Sequence, residues 1–437
     1  MPALSYVVAT SGSDSNPGTP AAPWRTVQKA VDSVPAGATI LVRDGTYGPF
    51  TMRRSGTASA PITITAYPGE KPVIDGSDAV WYTVRLVGVA HVRVIGLIVE
   101  GGYAPGQDGG GIMVENSTQV VVRNNLTRFN KSYGIRSQNS TYVTIDGNEM
   151  TRNAVGVRVN HAGEGTVVSD NLIHHNDRMM VNTPDVKGDD SGAQGVNVVR
   201  TTGHVLVTGN RVWGNRAPSY DYGWDGAAFE IYAASNWEFT DNVSWDNRNV
   251  LETGTDSSRT PCRNGRFTRN VSYADTTEDR TVGMVLRCAE DGLIANNTFH
   301  GMQYFVFGIS HMAGTYGGSV DGLRILNNII SISTGKVYSI DSSVPDSLVI
   351  DYNLIHNSGS GALATVVGKG GTSSLATLQS WGYEAHGLIG DPRFVDAGDH
   401  DYRLRADSPA VDTGGEISGV TGGYVGVAPD RGRYERR

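Results

Sequence analysis

The chain has 437 residues, 56 of them Gly, with 36 Lys+Arg against 44 Asp+Glu and a formal net charge of −8. Charged residues make up 18% and hydrophobic residues 39%, which excludes wholesale disorder and leaves enough apolar mass for a large core. The acidic balance argues against nucleic acid as the main partner, and no apolar run approaches the ~18 residues of a membrane span.

Near the start, residues 25–35 (R-T-V-Q-K-A-V-D-S-V-P) place Val27, Ala30, Val31 and Val34 on one face of a short helix. Such a helix suits the open end of a solenoid. A short pattern then recurs: a β-rich stretch, a small or polar residue, Asn, and apolar residues. The Asn falls at positions 125, 148, 171, 210, 242, 270, 297, 328 and 353, and Gly96 takes the slot in V-R-V-I-G-L-I. The steps are 23, 23, 39, 32, 28, 27, 31 and 25 residues. A 23-residue unit with insertions is too short for a propeller blade and lacks helical periodicity. It predicts an all-β chain wound as a parallel β-helix, with three short strands per coil. Gly and Asn supply left-handed corners, and Asn stacked about 4.8 Å apart forms an amide ladder along the axis.

The strands upstream of each Asn give a second register. Its triplets are Gly111-Ile112-Met113, Gly134-Ile135-Arg136, Gly156-Val157-Arg158, Gly195-Val196-Asn197, Ala228-Phe229-Glu230, Val250-Leu251-Glu252 and Val285-Leu286-Arg287. The apolar middle residue points into the core, so the third points outward. A further outward column holds Glu115, Gln138, Asn160, Val199, Tyr232, Gly254 and Ala289. Glu230 and Glu252 thus stand on adjacent rungs, close to the ~5–5.5 Å carboxyl separation of a retaining glycosidase. Like charges so close push one carboxyl up, giving an acid and a base. Arg158 and Arg287 on nearby rungs offer the other reading, an ion-pair ladder.

The longest insertions flank these rungs. They hold Asp185-Val-Lys187-Gly-Asp189-Asp190, a second segment from Ser219 to Asp225, and Asp256-Ser-Ser-Arg259. Long loops on a regular coil commonly carry function. Tyr220, Tyr222, Trp224 and Trp237 offer flat faces for sugar rings. The expected substrate-binding set is Arg136, Arg158, Asn197, Tyr222, Trp224, Tyr232 and Arg287, with Asp225 as a third acid. Cys262 and Cys288 are 26 residues apart, about one coil, leaving a disulfide or two buried thiols open. From about residue 361 the Asn pattern stops, S-L-A-T-L-Q-S-W-G-Y reads as a second short helix, and an irregular closing segment follows. The reading is one domain, with an entry segment and cap at 1–50, coils at 51–360 and a capping segment at 361–437.

The entry segment Y-V-V-A-T-S-G-S-D-S-N-P-G-T-P-A-A-P-W-R-T-V-Q-K-A-V, its continuation G-A-T-I-L-V-R-D-G-T-Y-G, and the closing D-P-R-F and D-Y-R-L-R-A-D-S-P-A-V-D-T-G carry a resemblance. They are similar to those of bacterial right-handed parallel β-helix proteins acting on polysaccharides, of the lyase and glycoside hydrolase types. The resemblance implies a single-stranded, right-handed, pectate-lyase-like solenoid with helical and irregular caps. It also implies a secreted protein whose signal is removed, here a monomer with a poly- or oligosaccharide as partner and neither nucleic acid nor membrane. The acid pair resembles that of β-helical β-xylosidases, which have Asp where Glu230 stands. That likeness makes Glu230 the nucleophile and Glu252 the general acid/base of a retaining glycoside hydrolase without a cofactor. The alternative is a lyase acting by β-elimination on a uronate glycan, with Asp185, Asp189 and Asp190 holding Ca²⁺ and Lys187 or Arg158 as base. Against it, Ala233–Asn236 and Glu252 stand where such lyases have Lys and Arg. A noncatalytic glycan-binding β-helix is the third reading.

Overall fold

The computed structural model describes residues 4–103, 109–184, 188–255, 262–275, 281–311 and 318–436. The chain divides into two compact units, Met1–Leu206 with Gly214–Gly226 and Val207–Trp213 with Ala227–Arg437. Within the first unit, the strands of successive coils pair in parallel and build three sheets. One joins Leu4–Val8, Ala38–Val42, Ile62–Ala66, Ala90–Ile95, Thr118–Arg123, Thr141–Asp146 and Thr166–Ser169. The second joins Phe50–Met52, Tyr82–Val87, Gly110–Glu115, Tyr133–Gln138, Val155–Asn160 and Gln194–Val199. The third runs from Thr46–Tyr47 to Leu172–His174. The second unit repeats the plan, and its second sheet carries Ala227–Tyr232, Asn249–Gly254, Val282–Leu286, Phe305–Ile309, Lys336–Ile340 and Ala362–Val366. This is the parallel β-helix that the Asn spacing predicts.

The helix forms at Val27–Ser33, with Val27, Ala30 and Val31 buried. Thr26 caps it, its hydroxyl accepting from the Lys29 N–H at 3.1 Å. The Asp14 carboxylate takes the Arg25 and Thr26 N–H groups and the Thr26 hydroxyl, which ties the entry loop to the cap. The second helix is Leu375–Ser380.

The Asn ladder is present and fully internal. Asn125 donates to Asn148 and Asn148 to Asn171, each at 3.0 Å. In the second unit the chain of amides runs Asn210, Asn242, Asn270, Asn297, Asn328, Asn353 with steps of 2.9–3.1 Å. Each ladder amide also donates to backbone carbonyls, as Asn148 does to Val122 and Asp146. The left-handed corner is not the ladder Asn but the residue before it, as at Asn124, Gly147, Asp170 and Asn296. Gly96 accordingly belongs to that corner column, with φ 73°, and Leu97 takes the ladder place, donating its N–H to Asn125 Oδ1. A second ladder, absent from the sequence reading, links Asn130, Asn153, Asn176 and Asn215.

The closing segment does more than cover an end. Phe394, Tyr402, Leu404 and Ala410 pack on Val271, Tyr273, Ile329 and Leu354 along the flank of the coils. Further on, the corner amides Asn296 and Asn327 donate to carbonyls of Asp430 and Gly415, and Arg433 pairs with Asp241 at 3.1 Å. The Asn ladder ends on Glu384, which is fully buried. Its Oε1 accepts from Asn353 Nδ2 at 2.9 Å and from the Tyr338 hydroxyl at 2.5 Å. Burial pushes the Glu384 carboxyl up to about 7, against hydrogen bonds from Tyr338 and Asn353 that favour the charged form.

Removing one ladder amide strips buried partners from both neighbours. Asn148→Ala is expected to cost about 3 kcal/mol, read as a shifted midpoint in chemical denaturation; a cost under about 0.5 kcal/mol would contradict the ladder's role. Because Glu384 binds its proton more tightly when folded, its contribution is complete below the unfolded pKa of 4.5 and is lost as pH rises to about 7. That loss amounts to roughly 3 kcal/mol. Melting curves across this window should show Glu384→Gln losing that downward slope relative to the parent chain.

Candidate active site

Glu230 and Glu252 lie on the second sheet of the second unit and are register partners, one rung apart. Phe229 and Leu251 beside them are fully buried, so alternation turns both carboxylates outward, where both are half-buried. Glu252 is held at both oxygens: Arg287 Nη1 donates to Oε1 at 2.9 Å and Asn249 Nδ2 to Oε2 at 3.1 Å. Asn249 escaped the sequence reading because it precedes the triplet; its signal is a polar residue where the previous rung has Ala227.

Arg287 does not arrive from the predicted rung position. The triplets pair Leu286 with Leu251, whereas the structure pairs Met284 with Leu251, Val285 with Glu252 and Leu286 with Thr253. Ala289 is displaced from the second outward column by the same slip. Arg287 instead leaves the strand end. Its N–H and that of Cys288 both donate to Thr253 Oγ1, at 3.1 and 3.2 Å. Cys288 is disulfide-bonded to Cys262, with Cα atoms 5.4 Å apart, which decides between the two alternatives the spacing left open. Tyr232 faces Gly254 across the rung, and a Cβ there would meet its ring at 3.4 Å. Trp237, expected to offer a flat face to a sugar ring, is instead buried and packs edge-on against Phe239 at 5.5 Å.

The remaining expected residues belong to the first unit. Arg136, Arg158 and Asn197 are successive register partners on its second sheet. Arg136 and Asn197 are buried, more deeply than an outward column implies. Tyr82 and Tyr133, which the spacing does not point to, enclose the arginines: their hydroxyls accept from Arg136 at 3.2 Å and Arg158 at 3.0 Å, and both guanidiniums lie over the Tyr133 ring. Burial, together with Arg200, Arg136 and Arg158, pushes the nearby His161 imidazole down.

Tyr222, Trp224 and Asp225 occupy a hairpin formed by Ala217–Ser219 and Gly223–Asp225. Tyr222 is exposed and its hydroxyl donates to the Gly188 carbonyl at 2.7 Å. Trp224 carries the Arg216 guanidinium over its ring, and Asp225 accepts from the Gly226 N–H. Asp189 and Asp190 do come together, with Asp221 as third member, their carboxylate oxygens within 4.8 Å of one another. Asp185, Lys187 and the segment Asp256–Arg259 lie outside the described residues. Three carboxylates are the hard oxygen donors that Ca²⁺ takes. Asp190, however, already accepts from the Thr183 and Asp221 N–H groups and the Ser219 hydroxyl, so it also fastens the two loops together. Although burial opposes it, these hydrogen bonds hold the Asp190 carboxyl below its ordinary value. Among the described residues, no helix is long and apolar enough to cross a membrane.

A family model described as Pel9A-like, right handed beta helix region matches residues 6–265. Pectate lyase PEL9 of Emericella nidulans is 46% identical over 79 residues, which is 17% of this chain and 19% of that protein. The chain therefore spans about a fifth of the length of this curated relative. Among solved structures, pectate lyase Pel9A aligns with 99% of this chain and 96% of its own at 18% identity and TM-score 0.55. XylC in complex with xylose aligns with 91% and 88% at 12% identity and TM-score 0.58. At these identities the two structures speak for the fold alone.

Proposed function

Because the chain belongs to the Pel9A-like right-handed β-helix family, we propose that it is a secreted carbohydrate-active enzyme, and specifically a retaining glycoside hydrolase using Glu230 and Glu252. The observation that carries this reading is the in-register pairing of the two carboxylates on one outward face. A rung spacing of about 4.8 Å matches the separation at which the second carboxylate attacks directly instead of activating a water across a wider gap.

In this scheme one carboxylate of the pair attacks the anomeric carbon while the other gives its proton to the departing glycosidic oxygen; the likeness to β-xylosidases makes Glu230 the attacker, whereas the donors on both Glu252 oxygens favour a charged Glu252 in that role. The resulting glycosyl ester is hydrolysed by water, whose proton returns to the carboxylate that served as the acid. Arg287 and Asn249 fix the Glu252 carboxyl in place, and Tyr232 borders the pair. Two half-buried acids one rung apart repel each other, and Arg287 offsets that cost at Glu252, as Arg128 does at Glu100 beside Asp75. The disulfide agrees with an oxidising, extracellular setting.

A specific observation favours a second reading. The Asp189, Asp190 and Asp221 group has the donor set for Ca²⁺, which in a uronate lyase would neutralise the substrate carboxylate. There Arg158 would take the proton α to that carboxylate as the glycosidic oxygen leaves. Under the hydrolase reading, Glu230→Gln and Glu252→Gln should each lower kcat by at least about 100-fold against a panel of polysaccharides, with no ultraviolet-absorbing unsaturated product. Full activity in either variant would remove the pair from the mechanism. Chelation should leave hydrolysis unchanged; loss of activity on chelation, restored by Ca²⁺, together with unsaturated products, would instead select the lyase.

A further inference from the structure

Glu252 is gripped by a residue that is itself placed by unusual means. Arg287 lies past the end of the strand Val282–Leu286, where regular sheet pairing no longer fixes the backbone. Three features replace it. The Thr253 hydroxyl, fully buried directly after Glu252, accepts the N–H groups of both Arg287 and Cys288. The Cys262–Cys288 disulfide ties the next residue to the incoming chain. On the far side Gly318 packs so closely that a Cβ would sit 2.5 Å from the Arg287 carbonyl oxygen. The guanidinium that emerges meets Glu252 at 2.9 Å.

We propose that Thr253, Arg287 and the Cys262–Cys288 disulfide form a positioning relay for Glu252, so that opening the disulfide lowers turnover at this site without removing substrate binding. This rests on the assignment of Glu252 to the chemistry. The physical reason is geometric: a reacting carboxyl must be aimed to within a fraction of an ångström, and a shift of about 1 Å can cost on the order of 100-fold. An Arg on a released loop can still neutralise Glu252 but no longer aims it. The redox step is a two-electron exchange with a dithiol. The attacking thiolate forms a mixed disulfide, the second thiol of the reagent closes its own disulfide, and Cys262 and Cys288 leave as two thiols. Both sulfurs are buried, so the exchange requires local opening and is slow in the resting protein.

The relay separates from a merely stabilising role in steady-state kinetics on a cleaved glycan, measured well below the melting temperature of each variant. Thr253→Val, which keeps shape but loses the acceptor, is expected to lower kcat about 10- to 100-fold with KM within about twofold, while Thr253→Ser restores it. The Cys262→Ser/Cys288→Ser variant, and the parent chain after dithiol treatment, should show the same split. In an Arg287→Gln background neither change should lower kcat further, because all three act through one guanidinium. Should Thr253→Val prove unfolded, dithiol treatment of the parent chain supplies the same comparison. If Glu252→Gln is inactive while the Thr253 and cysteine variants keep full kcat, the relay is wrong and the site assignment stands. If Glu252→Gln is itself fully active, the assignment fails first.

Discussion

Parallel, in-register pairing of successive coils is the constraint from which this molecule is built. It places each side chain against its counterpart one coil later, about 4.8 Å away, so identical residues meet repeatedly. For a carboxamide, which both donates and accepts, that meeting is favourable at every step, and the two buried Asn ladders result. For a charge it is unfavourable. The same geometry that makes asparagine a structural residue therefore marks like-charged neighbours as exceptional. Among the described residues three such places stand out, Arg136 beside Arg158, Glu230 beside Glu252 and Asp75 beside Glu100. At the first, an aromatic ring and two phenolic hydroxyls are interleaved with the cations. At the second, an arginine and an amide hold one of the acids.

Much of this was legible in the sequence because the coil repeats in a whole number of residues. The ladder positions, the inward middle residues from Ile112 to Leu251 and the rung pairing of the two acids all follow from spacing. Spacing carries no information where it is degenerate. Met284 and Leu286 are both apolar, both buried and two residues apart, so a slip of two keeps every side chain on its face and leaves no trace in the pattern. The Asn130, Asn153, Asn176 ladder had the same 23-residue signal as the first and was simply masked by it. Tyr133 could not be foreseen as a partner of Arg158, since 25 residues separate them and Tyr133, like Asn249, stands just before its triplet. Trp237 shows the opposite failure: aromatic character near a candidate site says nothing about whether the ring faces solvent or the core.

The ends of the ladder show how a repeating hydrogen-bond chain is terminated. An amide column leaves one unanswered donor at its last step, and burying it unpaired is costly. Glu384 answers it with a carboxylate, supported by Tyr338. An acid in this place accepts at both oxygens, which no further Asn could do, and its burial is what makes the end of the column sensitive to protons.

The segment that folds back along the second unit has a consequence in time. Arg433 and Asp241 are 192 residues apart, and translation at roughly 5–20 residues per second separates their appearance by about 10–40 seconds. Throughout that interval the corners at Asp241, Asn296 and Asn327 exist without the backbone that later covers them. Coil-on-coil winding can proceed locally as each turn emerges, yet the flank is sealed only by a contact of very high sequence separation. A nascent chain of this design is therefore wound early and locked late, and a chaperone or an export machine would find its longest opportunity between those two events.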